Sequence, residues 1–258
     1  MNPLYDAIFH RKSVRKLSPD PLPGETLTAL LEFAAGSRRL HPEIEIDFAL
    51  LGAGEIGGRF AIDAPHYLCL YSAGGTGSLQ NAGFVLQQID LYLSSQGIGS
   101  CYLGASKPKE ERFLTRGALV FVTMLALGAP LEPVHREVAG FKRKSLGQIT
   151  DLQDAGRLLE PVRLAPSAMN SQPWRLCAAE EGLLVCREKL GTVRRRLLDR
   201  LNQIDTGIAL CHLALSCEAQ GKTVAFSFEE RPAPEGYLFE ACARISGEET
   251  PVPEEGER

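Results

Sequence analysis

The hydrophobic positions of the chain change period several times, and each change marks an element. Leu4 and Ile8 share one face of a short segment that Asn2 can cap with Pro3 at the first helical position. Leu27, Leu30, Leu31 and Ala34 form a stripe at helical spacing, which predicts a helix over Glu25–Ala35. Ile44, Ile46, Phe48 and Leu50 alternate with other residues, so a strand is expected there, and His66–Tyr71 reads as another. A glycine loop, Ala73–Gly77, leads into a long helix over Ser78–Gln96 that Gly97 stops. Cys101–Leu103 and Ala118–Leu127 are apolar enough for buried strands, and Ala129–Thr150 reads as an irregular connector. Helix Asp151–Arg163, strands Trp174–Ala179 and Leu183–Arg187, and a long helix from about Arg194 to Gln220 follow.

The second series resembles the first. Leu30-Leu31-Glu32 returns as Leu158-Leu159-Glu160, and the pair Gly83/Gly97 returns as Gly207/Gly221 with the same internal spacing. Leu86 then matches Leu210, Leu91 matches Leu215 and Gln96 matches Gln220. The shared order of helix, strand, long helix and strand points to an internal duplication. The expected division is residues 1–150, residues 151–248, and an acidic, proline-bearing tail over 249–258 that reads as disordered.

Composition narrows the function classes. A net charge of −4 argues against a nucleic-acid footprint, which needs a strongly basic face. The longest apolar run, around Ala118–Leu127, is too short for a membrane span, and the N-terminus lacks the apolar stretch of a secretory signal. The seven cysteines show no C-x-x-C spacing and mostly sit in apolar surroundings; they read as reduced thiols of a cytoplasmic protein. Scattered histidines give no metal-ligand spacing, and no G-x-S-x-G is present. Gly52-Ala53-Gly54-Glu55-Ile56-Gly57 fits G-x-G-x-x-G, but Ala64-Pro65 soon follows and no acidic residue stands about 20 positions on. It reads as a mobile loop and not as a dinucleotide site.

Three stretches carry candidate chemistry. Leu164–Trp174, LAPSAMNSQPW, is bracketed by Pro166 and Pro173, which remove backbone donors and fix φ. Such a stiff loop, rich in amide and hydroxyl groups, is suited to holding a planar polar ligand, although a simple Ser/Asn/Pro turn has the same composition. Arg11, Lys12, Ser13 and Arg15 could cradle a phosphate and a polyol, or form a solvated face at a helix end. Lys142, Arg143 and Lys144 form a second basic cluster. Gly97–Gly104 is either a tight connection or a place where a backbone N–H comes close to a flat ring.

Together these segments resemble the nitroreductase superfamily of FMN-dependent oxidoreductases. Arg11-Lys12-Ser13-Val14-Arg15 is similar to that family's R-R-S-x-R, and Ala165–Trp174 to its A-P-S-x-x-N-S-Q-P-W. Gly97–Gly104 and Lys142-Arg143-Lys144-Ser145-Leu146 support the match. The order departs from the family's usual one, because the second motif here lies in the second repeat. The first repeat has Ala34–Leu40 in its place, and the second repeat has no R-R-S-x-R. The family's homodimers hold each FMN between subunits, so the resemblance implies a tandem-fused chain whose two similar halves form a pseudo-dimer with one complete site.

The implied fold is α+β. By the resemblance, Arg11, Ser13, Lys142, Arg143 and Lys144 would hold the phosphate and ribityl chain of FMN, and Arg15 or Lys12 would lie near the pyrimidine edge. Leu103 and Gly104 would offer backbone N–H groups to the flavin N5. Pro166, Ser167, Met169 and Asn170, in the loop that Gln172 completes, would pack on the ring from the other half. NADH or NADPH would reduce the flavin, and a nitroaromatic, quinone or similar small electron-poor acceptor would reoxidise it, with no side-chain acid or base demanded. The expected state is a monomer or a weak homo-oligomer. The alternatives are a non-catalytic flavin-binding or sensor protein and, further off, a flavin-free scaffold.

Overall fold

In the computed structural model, residues 2–58 and 61–247 are described, and the acidic tail lies outside them. Helix α1 (Pro3–Ile8) starts as its sequence predicts, with Asn2 Oδ1 accepting from the Leu4 N–H at 3.0 Å. Helix α2 (Gly24–Gly36) buries Leu30 and Ala34. Five strands then build the first sheet: β1 (Ile46–Gly52), β3 (His66–Ser72), β4 (Gly99–Tyr102), β6 (Thr115–Arg116) and β7 (Leu119–Gly128). Its spatial order is β1-β3-β7-β4, with β6 on β7, and every pairing is antiparallel. Helix α3 (Ser78–Ser95) connects β3 to β4.

Helices α4 (Leu146–Ile149) and α5 (Gly156–Arg163) lead to the second sheet. It comprises β8 (Trp174–Ala179), β9 (Gly182–Glu188), β10 (Thr223–Ser227) and β11 (Tyr237–Ser246), in the order β8-β9-β11-β10 and again antiparallel. Helix α6 (Thr192–Ala219) connects β9 to β10. The two sheets therefore share one topology, with the long helix between the second and third strands of each. They also share a defect. Val122 is an unpaired extra residue of β7 between the partners of Leu70 and Tyr71, and Glu240 is the same on β11 between the partners of Val185 and Cys186.

Helices α3 and α6 cross at the centre of the core. A Cβ on Gly83 would fall 2.0 Å from the Ile204 carbonyl oxygen, and one on Gly207 would fall 1.9 Å from that of Gln80. Each glycine faces a carbonyl three positions before the other, so the contact is reciprocal. Ser216 of helix α6 and its C-cap Gln220 donate through their side chains to the carbonyl of Arg157. That carbonyl would otherwise be orphaned, because Pro161, four residues on inside α5, has no N–H.

Three local readings change. Helix α5 begins at Gly156 and not at Asp151. The strands β10 and β11 were not anticipated from the pattern. The Gly52–Gly57 stretch is an ordered turn and not a mobile loop: Ile56–Gly58 forms strand β2, paired with β5 (Ser106–Pro108). Glu55 explains the order, because its carboxylate accepts from the Gly52 N–H and its carbonyl accepts from Lys109 at 2.8 Å. Among the described residues, no helix is long and apolar enough to cross a membrane.

Candidate functional site

Arg11 and the A-P-S loop, far apart in sequence, line one cavity. It has two connected ends that share Ser13, Arg15, Pro166, Ser167 and Met169. One end, of about 450 Å³, is cationic: Arg11, Lys12, Arg15, Arg136, Lys142 and Arg143 surround it, with Glu132 as its one lining carboxylate. The other, of about 140 Å³, is mostly apolar, and runs between Tyr102 and Gly104 on one side and Pro166, Ala168 and the α6 face Leu201, Ile204, Asp205, Ile208 on the other.

Two of the six cations are matched. Arg11 is buried, and its Nε lies 2.9 Å from Asp90 Oδ2 on α3. The two atoms form an ion pair without hydrogen-bond alignment. Asp90 also accepts from Ser100 Oγ at 2.6 Å, while Arg11 Nη2 donates to Ser13 Oγ at 3.2 Å. Lys12 pairs with Glu132 at 3.0 Å. Glu132 accepts as well from the backbone N–H groups of Arg15 and Lys16, and the Arg15 N–H, Lys12 and the Lys16 N–H together hold its carboxyl down at about 2. Among the described residues, Arg15, Arg136, Lys142 and Arg143 have no ion-pair partner. Burial and the neighbouring charges of Arg136, Arg11 and Arg163 push Arg143 down to about 10. Arg136 shifts the same way, through burial and then Arg11 and Arg15, and its buried Nε has no hydrogen-bond partner. Crowded, partly buried positive charge of this kind fits an anionic group with several acceptor oxygens.

The loop is held by its own polar groups. Met169, Asn170 and Gln172 all adopt positive φ, at 52°, 57° and 47°. That backbone is sparsely populated for Met and Gln, and it persists because hydrogen bonds fix it. Ser167 Oγ accepts from the Gln172 N–H at 2.9 Å, and Asp205 accepts from the Ala168 N–H with both oxygens, at 3.0 and 3.1 Å. Several expected ligand groups are used in this way. Gln172 is buried; its Oε1 takes the Lys144 N–H at 2.7 Å, and its carbonyl takes Lys144 Nζ at 2.8 Å. Lys144 and Gln172 thus lock each other and do not line the cavity. Asn170 lies at the cationic end, where its amide bridges the Lys142 carbonyl and the Arg143 guanidinium. Leu103 is buried away from the cavity, and its N–H donates to the Met124 carbonyl at 3.1 Å, so it has none to offer a ligand. Gly104 does line the cavity, and among the described residues nothing accepts from its N–H.

The family model described as "Putative TM nitroreductase" matches residues 3–217. The chain belongs to this nitroreductase family. No curated protein matches the sequence significantly. The fold is similar to that of a "putative nitroreductase" of Thermotoga maritima, with 19% identity, a TM-score of 0.62 and 93% of each chain covered. A lesser likeness, with a TM-score of 0.45 and 17% identity, is to a "putative nitroreductase" of Desulfovibrio desulfuricans in complex with FMN, covering 59% of this chain and 98% of that one. Another, with a TM-score of 0.39 and 20% identity, is to iodotyrosine deiodinase bound to FMN and 3-iodo-L-tyrosine, covering 50% of this chain and 91% of that one.

This nitroreductase-family chain has a second, smaller cavity of about 130 Å³ in the place related to the first by the glycine pair. Along α3–β4 and α6–β10, residues 124 positions apart match in sequence order, as Gly83 and Gly207 do. Phe84 stands where the first cavity has Ile208, Phe226 where it has Tyr102, and Ala214 where Asp90 anchors Arg11. The brace is kept: Asn81 Oδ1, in the place of Asp205, accepts from the N–H groups of Leu40 and His41 at 2.9 and 3.1 Å. The cationic end is not. Arg38 pairs with Glu218, and the His41 ring packs at a tilt against Phe228, 4.1 Å between centroids.

The pattern along the sequence did not reveal Arg136, Glu132, Tyr102 or the α6 face. The α6 face had a signal, since Leu201, Ile204, Asp205 and Ile208 recur at helical spacing with an acid among apolar residues. Arg136, inside an irregular connector, had none.

Proposed function

We infer that this protein is an FMN-dependent oxidoreductase in which NAD(P)H reduces an electron-poor acceptor, such as a nitroaromatic or a quinone, by ping-pong hydride transfer. The observation that carries the reading is the two-ended cavity, with four unpaired cations at one end and a narrow apolar slot at the other. A flavin mononucleotide has that polarity, a dianionic phosphate joined to a flat apolar ring. Arg15, Arg136, Lys142 and Arg143 would hold the phosphate, Ser13 and Ser167 the polyol, and Pro166, Ile204 and Leu201 would border the ring. The Gly104 N–H is a free donor at the slot. The bound flavin supplies hydride chemistry; the chain positions it, excludes water from its apolar faces and surrounds it with positive charge that favours the reduced anion.

The one chain would hold one flavin. The shared sheet topology, the matching bulges, the reciprocal glycines and the repeated brace support a duplicated half, with residues 1–150 and 151–248 as its copies. The phenylalanines and the missing acid–arginine anchor support loss of the second site. The absorption spectrum of the purified protein, with and without added FMN, tests the reading directly. Saturation at one flavin per chain is expected. Lys142→Gln and Arg136→Gln should each weaken flavin binding roughly tenfold or more. Flavin affinity unaffected by both changes would overturn the assignment of the phosphate end. Anaerobic reduction by NADH or NADPH in a stopped-flow instrument then separates an enzyme from a protein that only keeps the flavin.

A further inference from the structure

We propose that Asp205 is a catalytic acid of this site, the group that delivers a proton to the bound electron acceptor. The inference rests on the flavin reading above. Asp205 is 3% exposed, on the α6 face that borders the apolar slot, and both its oxygens accept from the Ala168 N–H, with the Ser171 side chain beside them. Burial pushes its carboxyl up to about 8, against the opposing pull of that N–H and of Ser171. An acid with those surroundings carries its proton at neutral pH.

A bracing role does not call for an acid. The chain contains its own control, because Asn81 makes the same brace in the related place with an amide, to both Leu40 and His41. The cavity without a cationic end has the amide, and the one with it has the acid. The difference between the two positions is a proton that can leave. The other titratable groups facing the slot are Tyr102 and Cys101 from β4 and Arg15 from the N-terminal segment; the 166–169 loop brings none. Burial raises both Tyr102 and Cys101, so neither competes as an acid near neutrality.

The proton step balances by itself. The O–H bond of the Asp205 carboxyl breaks, its electron pair stays on the carboxylate, and an O–H bond forms on an acceptor oxygen. The electrons that the acceptor gains are those NAD(P)H provides. Water entering the cavity restores the acid.

The test is Asp205→Asn, which keeps the brace as Asn81 does. In the flavin-free parent protein, infrared difference titration should show one protonated carboxyl disappearing near pH 8, and the variant should lack it. After reduction, reoxidation of the parent by a quinone should slow as pH rises through the same region. The variant should be on the order of a hundredfold slower below pH 8, with no such dependence. Equal reoxidation rates and matching pH profiles in parent and variant would overturn the proposal while leaving the flavin reading intact. A protein that takes up no flavin would end both, with the infrared titration still reporting whether the acid is protonated.

Discussion

Arg11 shows how a side chain that reads as a ligand can be part of the frame. It lies at the junction of α1, α3 and the cavity, with Asp90 behind it and Ser13 beside it. Removing a buried charge leaves its partner uncompensated, so Arg11→Ala should destabilise the fold by about 3–5 kcal/mol. Urea denaturation checks this, and pairing Asp90→Leu with Arg11→Met should recover most of the loss. A charge reversal at Arg11 would put two carboxylates together and report on folding before it reports on flavin. Lys142 and Arg136 are the better probes of the cationic end, since neither is ion-paired among the described residues. Their importance was unevenly legible. Lys142 belongs to a basic run that stands out in the sequence, whereas Arg136 matters only because the chain folds it back beside Arg11 and Arg15.

Among the elements, the α3–α6 crossing decides where both cavities lie. Backbone meets backbone at Gly83 and Gly207, so any side chain there forces the helices apart. Gly207→Ala should destabilise the protein by roughly 3 kcal/mol or more and disturb the α6 face that borders the slot. Equilibrium denaturation and flavin titration of the variant measure the two effects. A polar chain also runs across the crossing. Tyr102 donates to Gln87, Gln87 contacts His212 Nε2 at 2.9 Å, and His212 Nδ1 lies 2.7 Å from the Pro161 carbonyl. The chain ties the slot's Tyr102 to α5. The equal spacing of Gly83/Gly97 and Gly207/Gly221 was visible in the sequence; that two of these glycines touch reciprocally was not, because spacing along a helix says nothing about its partner.

For the whole molecule, two buried groups set opposing pH dependences. Burial holds His212 down at about 3, against an ordinary value of 6.5. The unfolded chain therefore takes up a proton that the fold refuses, and stability falls as pH drops from about 6.5 toward 3. Asp205 does the reverse. The fold keeps a proton that the unfolded chain releases above 3.8, so its contribution is lost as pH rises toward about 8. Between 3.8 and 6.5 the two slopes oppose each other, and from 6.5 to 8 only the Asp205 slope remains. Thermal melts should show a plateau with a decline on each side. His212→Gln should relieve the acid side, Gln being the residue that Gln88 supplies in the related place, and Asp205→Asn the alkaline side.

The sequence by itself determined the long helices, most strands before β10, the loop between Pro166 and Pro173 and the two basic runs, because periodicity, capping and proline geometry act between near neighbours, and the α+β class followed from the family resemblance. The tertiary structure decided which polar groups remain free. Lys144, Gln172 and the Leu103 N–H find partners inside the protein, while Arg136 and Asp205 reach the cavity. Those outcomes depend on burial and on partners distant in sequence, such as Gln172 for Lys144 and Asp205 for Ala168, which no local pattern encodes.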